Sequence, residues 1–354
     1  MEKMMNAVLK VLAMSVGMWS CASPAFAFTD PLDQPAMLSE RASSSPLYGL
    51  AGDGRALVVA VGPRGHILYS EDAGKHFKQS AVPLSSDLVA VYFASATQGW
   101  AVGHDGVILH SSDGGTSWER QLDGRQIGEL AARYYATLQG DSEALERAKE
   151  YAQTLKDSGP VRPLLDVYFE DEKTGWAIGA YNLILHTTDG GKQWTPWMER
   201  VENPDEYSLH AIRKVGDQVF IAGELGLLLR LDRQQQRFVK LQSPYPGSFF
   251  GLTGRDGLLV VFGLRGNAYI SHDEGNSWKK LETGVSDSIN GSTMLADGRF
   301  VLVSASGSLL VSSADGDRIS NKVSEGRTPL YGVTTSSSGM VAIGPSGVRL
   351  VAQP

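Results

Sequence analysis

The chain has 354 residues, 42% of them hydrophobic and 20% charged, a globular balance that excludes a disordered chain. Forty glycines against 15 prolines, with no Gly-X-Y period, exclude collagen and point to many tight turns. A net charge of −7 argues against a nucleic-acid partner held by a basic surface, and a single cysteine, Cys21, excludes an intrachain disulfide framework and a cysteine zinc site.

Residues 1–27 read as a secretory signal. Lys3 and Lys10 give a positive start, Val11 to Trp19 is a short apolar run, and Ala25-Phe26-Ala27 fits the A-x-A cleavage pattern. The run falls short of the ~20 residues a membrane-spanning helix needs. Cleavage is expected after Ala27, which places the mature protein, residues 28–354, in the periplasm.

From residue 47 onward the chain repeats itself. Segments beginning at Leu47, Leu88, Leu164, Leu209, Phe250, Ile289 and Leu330 align on one register glycine: Gly62, Gly103, Gly179, Gly223, Gly263, then Ser304 in its place, then Gly344. The gaps are 41, 76, 44, 40, 41 and 40 residues. Each repeat holds short β-type runs separated by turn residues. In the second, Val89–Phe93, Trp100–Val102 and Val107–His110 are followed by a fourth run after Trp118. Four strands per ~41 residues is the pattern of a propeller blade, and a lone four-stranded sheet must stack on neighbours. The expected fold is all-β: a seven-bladed β-propeller forming a single domain. The seventh repeat offers three such runs, and residues 28–46 are expected to supply its fourth, outermost strand.

The long gap holds an insertion, residues 122–163. Ile127, Leu130, Ala131, Tyr134 and Leu138 recur at helical spacing, as do Leu145, Ala148, Tyr151, Ala152 and Leu155. Ser142 is a plausible N-cap and Gly159-Pro160 a stop. This predicts a helical hairpin between blades 2 and 3. It should emerge on the same face as the turns between second and third strands, which makes Arg64, His104, Asp105, Tyr134, Tyr181, Glu224 and Arg265 the candidate binding residues.

The most specific local motif is Ser/Thr-x-Asp-x-Gly-x-x-aromatic, the Asp-box. Clean copies carry Asp113 with Trp118, Asp189 with Trp194, and Asp273 with Trp278; the copy with Asp72 ends in Phe77. In the fourth and sixth repeats Arg233 and Ala314 stand where Asp belongs. The aspartate should hydrogen-bond its own turn, the glycine should take a left-handed backbone, and the aromatic ring should bury between blades. The role expected of these residues is structural, with no metal.

The units GWAVG…ILHSSDGGTSW and GWAIG…ILHTTDGGKQW resemble the bacterial neuraminidase (BNR) repeat. More closely, they resemble the photosystem II stability/assembly-factor family of seven-bladed propellers, across nearly all of residues 45–354. In phototrophs that resemblance implies a lumenal, chaperone-like factor that binds a membrane-protein intermediate. In non-photosynthetic bacteria it implies a periplasmic protein accompanying RND-type exporters. The helical insertion and the lack of a dense arginine cluster depart from the phototroph pattern.

Sialidases share the repeat, so catalysis needs testing. They use a trio of arginines on the substrate carboxylate and a Tyr/Glu nucleophile pair. Arg64 and Arg265 hold equivalent turns without a third arginine, and Tyr181 with Glu224 could only imitate the pair. The seven histidines show no H-x-x-x-H or H-x-H spacing, and Gly-x-Ser-x-Gly is absent. The expectation is a non-enzymatic monomer without cofactor that binds a protein partner, a membrane complex or an exporter subunit. The alternative is a glycan binder or degenerate sialidase-like hydrolase.

Overall fold

The computed structural model describes residues 29–323 and 327–354. The expected signal segment and Cys21 lie outside the described residues. The rest forms antiparallel sheets over residues 49–79, 88–122, 164–196, 209–240, 249–280, 289–323 and 332–351, here the first to seventh. The first six have four strands in simple up-and-down order, and among the described residues the seventh has three. The first strand of each sheet contacts the first strand of the next, and Gly49–Gly52 contacts Gly332–Ser336, so the sheets succeed one another around a common axis as in a β-propeller.

The second strands explain why these sheets stack. Val58–Val61, Gly99–Gly103, Gly175–Gly179, Leu258–Gly263 and Phe300–Ser304 are buried along their whole length, because sheets cover them on both faces. The register glycine ends most of them. Its backbone is extended, for example φ −174° at Gly103, so left-handed freedom is not what it supplies. A Cβ on Gly103 would lie 2.0 Å from the Asp87 carbonyl oxygen and one on Gly179 2.2 Å from that of Pro163. The chain arriving from the previous sheet passes that close, and only a bare backbone lets it through.

Between the second and third sheets lie α1 (Gly124–Thr137) and α2 (Glu143–Ser158). Asp123 and Gln126 close a reciprocal capping box on α1, and the Ser142 side chain caps α2. Gly128 brings the helices into contact: a Cβ there would meet the Lys156 backbone at 2.5 Å. The pair packs down hard. Ile127, Ala131, Tyr135, Leu145, Ala148, Tyr151, Ala152 and Leu155 belong to the same buried cluster as Trp176, Ile184 and Met198 of the third sheet and the loop after it. Tyr135, 1% exposed, donates to Glu199 and accepts from the Met198 N–H.

Residues 28–46 were expected to supply a fourth strand to the seventh sheet. They do not: between residues 29 and 48 the chain forms two short turns and no strand. Pro31, Pro35 and Pro46 remove the donors a ladder needs. The segment instead runs as a strap. Leu32 is buried against the first two sheets, Asp33 forms a double hydrogen bond to Arg125 of α1, and Ala42–Ser44 packs beside Gly347–Val351. Between the last and first sheets, Leu47 N–H donates to Gly344 O at 3.2 Å and Ser337 N–H to Arg55 O at 2.8 Å.

Candidate functional site

In the first five sheets the turns joining second to third strands share one geometry. His66 N–H donates to Pro63 O, Val107 to His104, Leu183 to Ala180, Leu227 to Glu224 and Asn267 to Leu264. The first central residue is left-handed in each: Arg64 (φ 57°), Asp105 (57°), Tyr181 (55°), Leu225 (48°) and Arg265 (56°). Glycine follows, except for Asn182 in the third sheet. These are type I′ hairpin turns, which normally ask for Asn, Asp or Gly at that first position. The apex is therefore Leu225 and not Glu224, which sits one residue earlier and accepts the Ser208 N–H at 3.1 Å.

Arg64, His104 and Arg265 are exposed, while Asp105 is tied down by Ser86 Oγ at 2.7 Å. Tyr181 is 51% and Leu225 55% exposed, and the Arg162 guanidinium lies over the Tyr181 ring at 4.2 Å. The helical pair adjoins this rim: Tyr151 Oη donates to Ala180 O, and Gly124 approaches the turn at Gly106. Tyr134 is not part of the rim. It sits half-buried on the outer flank of the third sheet, near Trp197 and Arg200. The expected residues thus form an arc over five sheets and not one cluster. No hydrogen bond joins Tyr181 to Glu224 among the described residues.

Inside the rim, the first strands enclose a channel cavity of about 180 Å³. Its mouth carries Tyr48, His210, Phe250, Asn290 and Tyr331. Below it is a layer of small residues, Gly49, Ala90, Ala211, Gly251, Gly291 and Gly332, broken by one carboxylate, Asp166 of the third sheet. Asp166 is 4% exposed. It accepts the Val167 and Ile212 N–H groups at 2.9 Å each and pairs with the Arg213 guanidinium of the fourth sheet. Burial pushes its carboxyl pKa up, and Arg213 opposes that rise. The residue was legible in the aligned repeats, where LLDVYF stands against LVAVYF, but its partner was not.

The Asp-boxes behave as turn clasps. Asp113 accepts the Ser111 hydroxyl at 2.9 Å and the Ser117 N–H at 3.0 Å, while Gly115 N–H donates back to Ser111 at 2.9 Å. Asp189, Asp273 and Asp72 repeat the pattern, and Asp72 also takes the Lys75 N–H and the His76 ring nitrogen. The Ser277 hydroxyl above all holds the Asp273 carboxyl down at about 2, and the His76 backbone N–H first among several donors holds Asp72 well below its usual range. Trp118 and Trp194 are buried at 6% and 5%; Trp278 is half-buried.

Sequence reasoning missed a cavity of about 480 Å³ between the third and fourth sheets, lined by Tyr134, Glu170, Trp176, His186, Trp197, Arg200 and Arg233, among others. The His186 ring lies 4.2 Å from Trp197 and 4.9 Å from Trp176, and burial, aided by Arg200, lowers its pKa to about 4. The available signal was Arg233, which replaces the box aspartate in the fourth repeat.

Three relatives frame this geometry. The photosystem II assembly lipoprotein Ycf48 of Synechococcus sp. (strain CC9902) is 26% identical over 159 residues, 44% of this chain and 47% of that one. The photosystem II stability/assembly factor HCF136 of Arabidopsis thaliana is 25% identical over 202 residues, 50% of each chain. The chain thus spans about half the length of the curated relatives it matches. A solved structure described as YCF48 bound to a D1 peptide superimposes with a TM-score of 0.62 at 18% identity, covering 89% of this chain and 94% of that one, and shares the propeller fold. The sequence model of the family described as photosynthesis system II assembly factor YCF48 matches residues 55–132 and 151–328, well over half of the chain, and the protein belongs to that family.

Proposed function

We propose that this protein is a non-enzymatic, seven-bladed scaffold that binds a polypeptide of a membrane-protein complex and assists its assembly or stability. In this reading residues 28–354 form one domain, the seven sheets are its blades, and the helical pair within 122–163 is an insertion between blades 2 and 3. Residues 1–27 export it to the periplasm, where an exporter subunit is the partner class outside phototrophs. The observation that carries the reading is the rim: apolar Tyr181 and Leu225 stand exposed beside Arg162 and the helical pair, around an aromatic channel mouth. Exposed apolar residues with a polar surround on a rigid frame suit protein recognition. The relatives that match are named as assembly factors, and one structure of the family is described as bound to a D1 peptide. Arg64 and Arg265 belong to the first and fifth sheets, and the arginine of the channel wall, Arg213, is engaged by Asp166, which disfavours a sialidase-type carboxylate grip.

The test is crosslinking mass spectrometry on source cells expressing the full chain or its Tyr181→Asp/Leu225→Asp variant. Crosslinks from the rim to a membrane-complex subunit, lost in the variant, are expected. Crosslinks unchanged by the substitutions would move the interface elsewhere. N-terminal sequencing of the exported protein should start at Phe28.

A further inference from the structure

The second and third sheets are near copies, and each turns a tryptophan and a histidine toward the sheet that follows. What they meet differs. Trp100 stacks on Phe169 with ring centroids 3.5 Å apart, and its Nε1–H donates to Gly190 O at 3.3 Å. Gln121 Nε2 donates to the same carbonyl at 2.8 Å. Gly190 belongs to the Asp-box turn of the third sheet, so that turn fills the corner between the two sheets. His110 is satisfied as well, by Gln98 at 2.8 Å and Glu119 at 3.3 Å.

One sheet further on, Trp176, His186 and Trp197 occupy the positions of Trp100, His110 and Gln121. The fourth sheet offers no Asp-box: Leu231, Arg233 and Gln234 stand for Thr187, Asp189 and Gly190. Trp176, 2% exposed, has a buried Nε1 without a hydrogen-bond partner. His186 has Thr174 and Thr195 where His110 has Gln98 and Glu119, and it makes no hydrogen bond among the described residues. The corner that the glycine turn fills in the sister interface is a cavity of about 480 Å³, within the range of small-ligand sites. Its charged side chains balance, with Glu170 and Asp189 against Arg200 and Arg233, and Glu170 pairs with Arg233 across the two sheets.

We propose that this cavity is a peptide-binding site that takes a glycine-containing turn of a partner polypeptide, whose backbone carbonyl accepts the Trp176 Nε1–H. The molecule supplies its own template, since the group that satisfies the equivalent indole is a peptide carbonyl. Glycine is specified by the backbone of the template turn: Gly190 and Gly191 take φ of 78° and 85°, a conformation L side chains rarely adopt. Balanced charge suits a neutral backbone better than an ionic ligand. The site lies on the flank of the ring and is independent of the turn-rim reading.

The test is titration of the full chain, labelled at its tryptophan indoles with ¹⁵N, with N-acetyl-glycyl-glycine methylamide, and in parallel with maltose. The Trp176 indole resonance should shift saturably with the peptide while that of Trp100 stays fixed. The variant Leu231→Thr/Arg233→Asp/Gln234→Gly/Gln235→Gly, which restores an Asp-box, should abolish the response and move the ligand-free Trp176 resonance to a hydrogen-bonded position. Trp176→Phe keeps a ring but no donor, and should weaken binding, followed at the Trp197 indole, about three- to ten-fold. A silent Trp176, a peptide response that survives box restoration, an affinity unchanged by Trp176→Phe, or a stronger response to maltose would each overturn the proposal.

Discussion

Removing Arg213 should damage the protein more than removing the carboxylate it serves. In Arg213→Ala, Asp166 stays buried in the channel wall with only two backbone N–H groups for support. Breaking a buried pair from one side costs about 3–5 kcal/mol. Arg213 keeps 37% of its side chain exposed, so the lower end applies: about 3 kcal/mol, more than a hundred-fold in the unfolding constant. Asp166→Ala should cost less, about 1–2 kcal/mol for the two N–H groups left to find channel water. The other six sheets already carry Gly or Ala there. The double variant should recover most of the single Arg213 loss. The pH dependence has a definite sign. Burial raises the folded-state pKa of Asp166 above its unfolded value near 3.8, so the folded state binds the proton more tightly. Stabilisation by the neutral form is complete below about 3.8 and is lost as pH rises through the folded value. Without Arg213 to oppose burial, the deficit should be largest at neutral pH and shrink on acidification. Urea melts followed by tryptophan fluorescence at pH 7 and 4.5 measure this. A deficit equal at both pH values, or an Asp166→Ala as damaging as Arg213→Ala, would refute the reasoning.

Further expectations follow from packing. Trp118→Ala and Trp194→Ala should each cost about 3–5 kcal/mol in denaturant melts, and Trp278→Ala visibly less because its ring is half-buried. Gly128→Val should push α1 off α2 and cost about 1–3 kcal/mol or more, seen as loss of hydrogen-exchange protection across both helices. Deleting residues 29–44 should speed unfolding, because the Asp33–Arg125 link and the Ala42–Ser44 clamp go together; unchanged kinetics would show the strap to be decoration. His186, lowered to about 4, binds protons less tightly when folded. Its contribution is present above about 6.5 and is lost as pH falls toward 4, so His186→Gln should flatten the stability profile across that window.

The repeat architecture was legible because each repeat prints the same local physics: an apolar second strand, a register glycine under a passing carbonyl, and a box whose hydrogen bonds span four residues. The capped helices were legible from Ser142 and Gly159 for the same reason. What escaped reading depends on which faces meet across sheets. Nothing local to LLDVYF says that Asp166 will find Arg213, 47 residues on. Arg233 was visible as a broken box, but its consequence appears only once Trp176 is known to face that corner. The apex at Leu225 lies one residue past the expected Glu224, because which of two turn residues turns left-handed is set by the strand register. The fourth strand of the seventh sheet was inferred from symmetry, which the prolines of the strap override.

The type I′ turns have a consequence for how such a ring changes its specificity. A left-handed L-residue costs roughly 1–2 kcal/mol, so Arg64, Asp105, Tyr181, Leu225 and Arg265 each hold a small penalty on the same rim. Their backbone angles are nearly the same, and apart from Asp105, which Ser86 holds, their side chains stand clear of the core. Each apex is in effect a socket: a basic, acidic, aromatic or aliphatic group can be exchanged there without repacking any sheet. Replacing all five with glycine should yield a sturdier ring with a blank rim. Lineages that share this frame could then differ in what they grip through a handful of codons, while the buried strands stay the same.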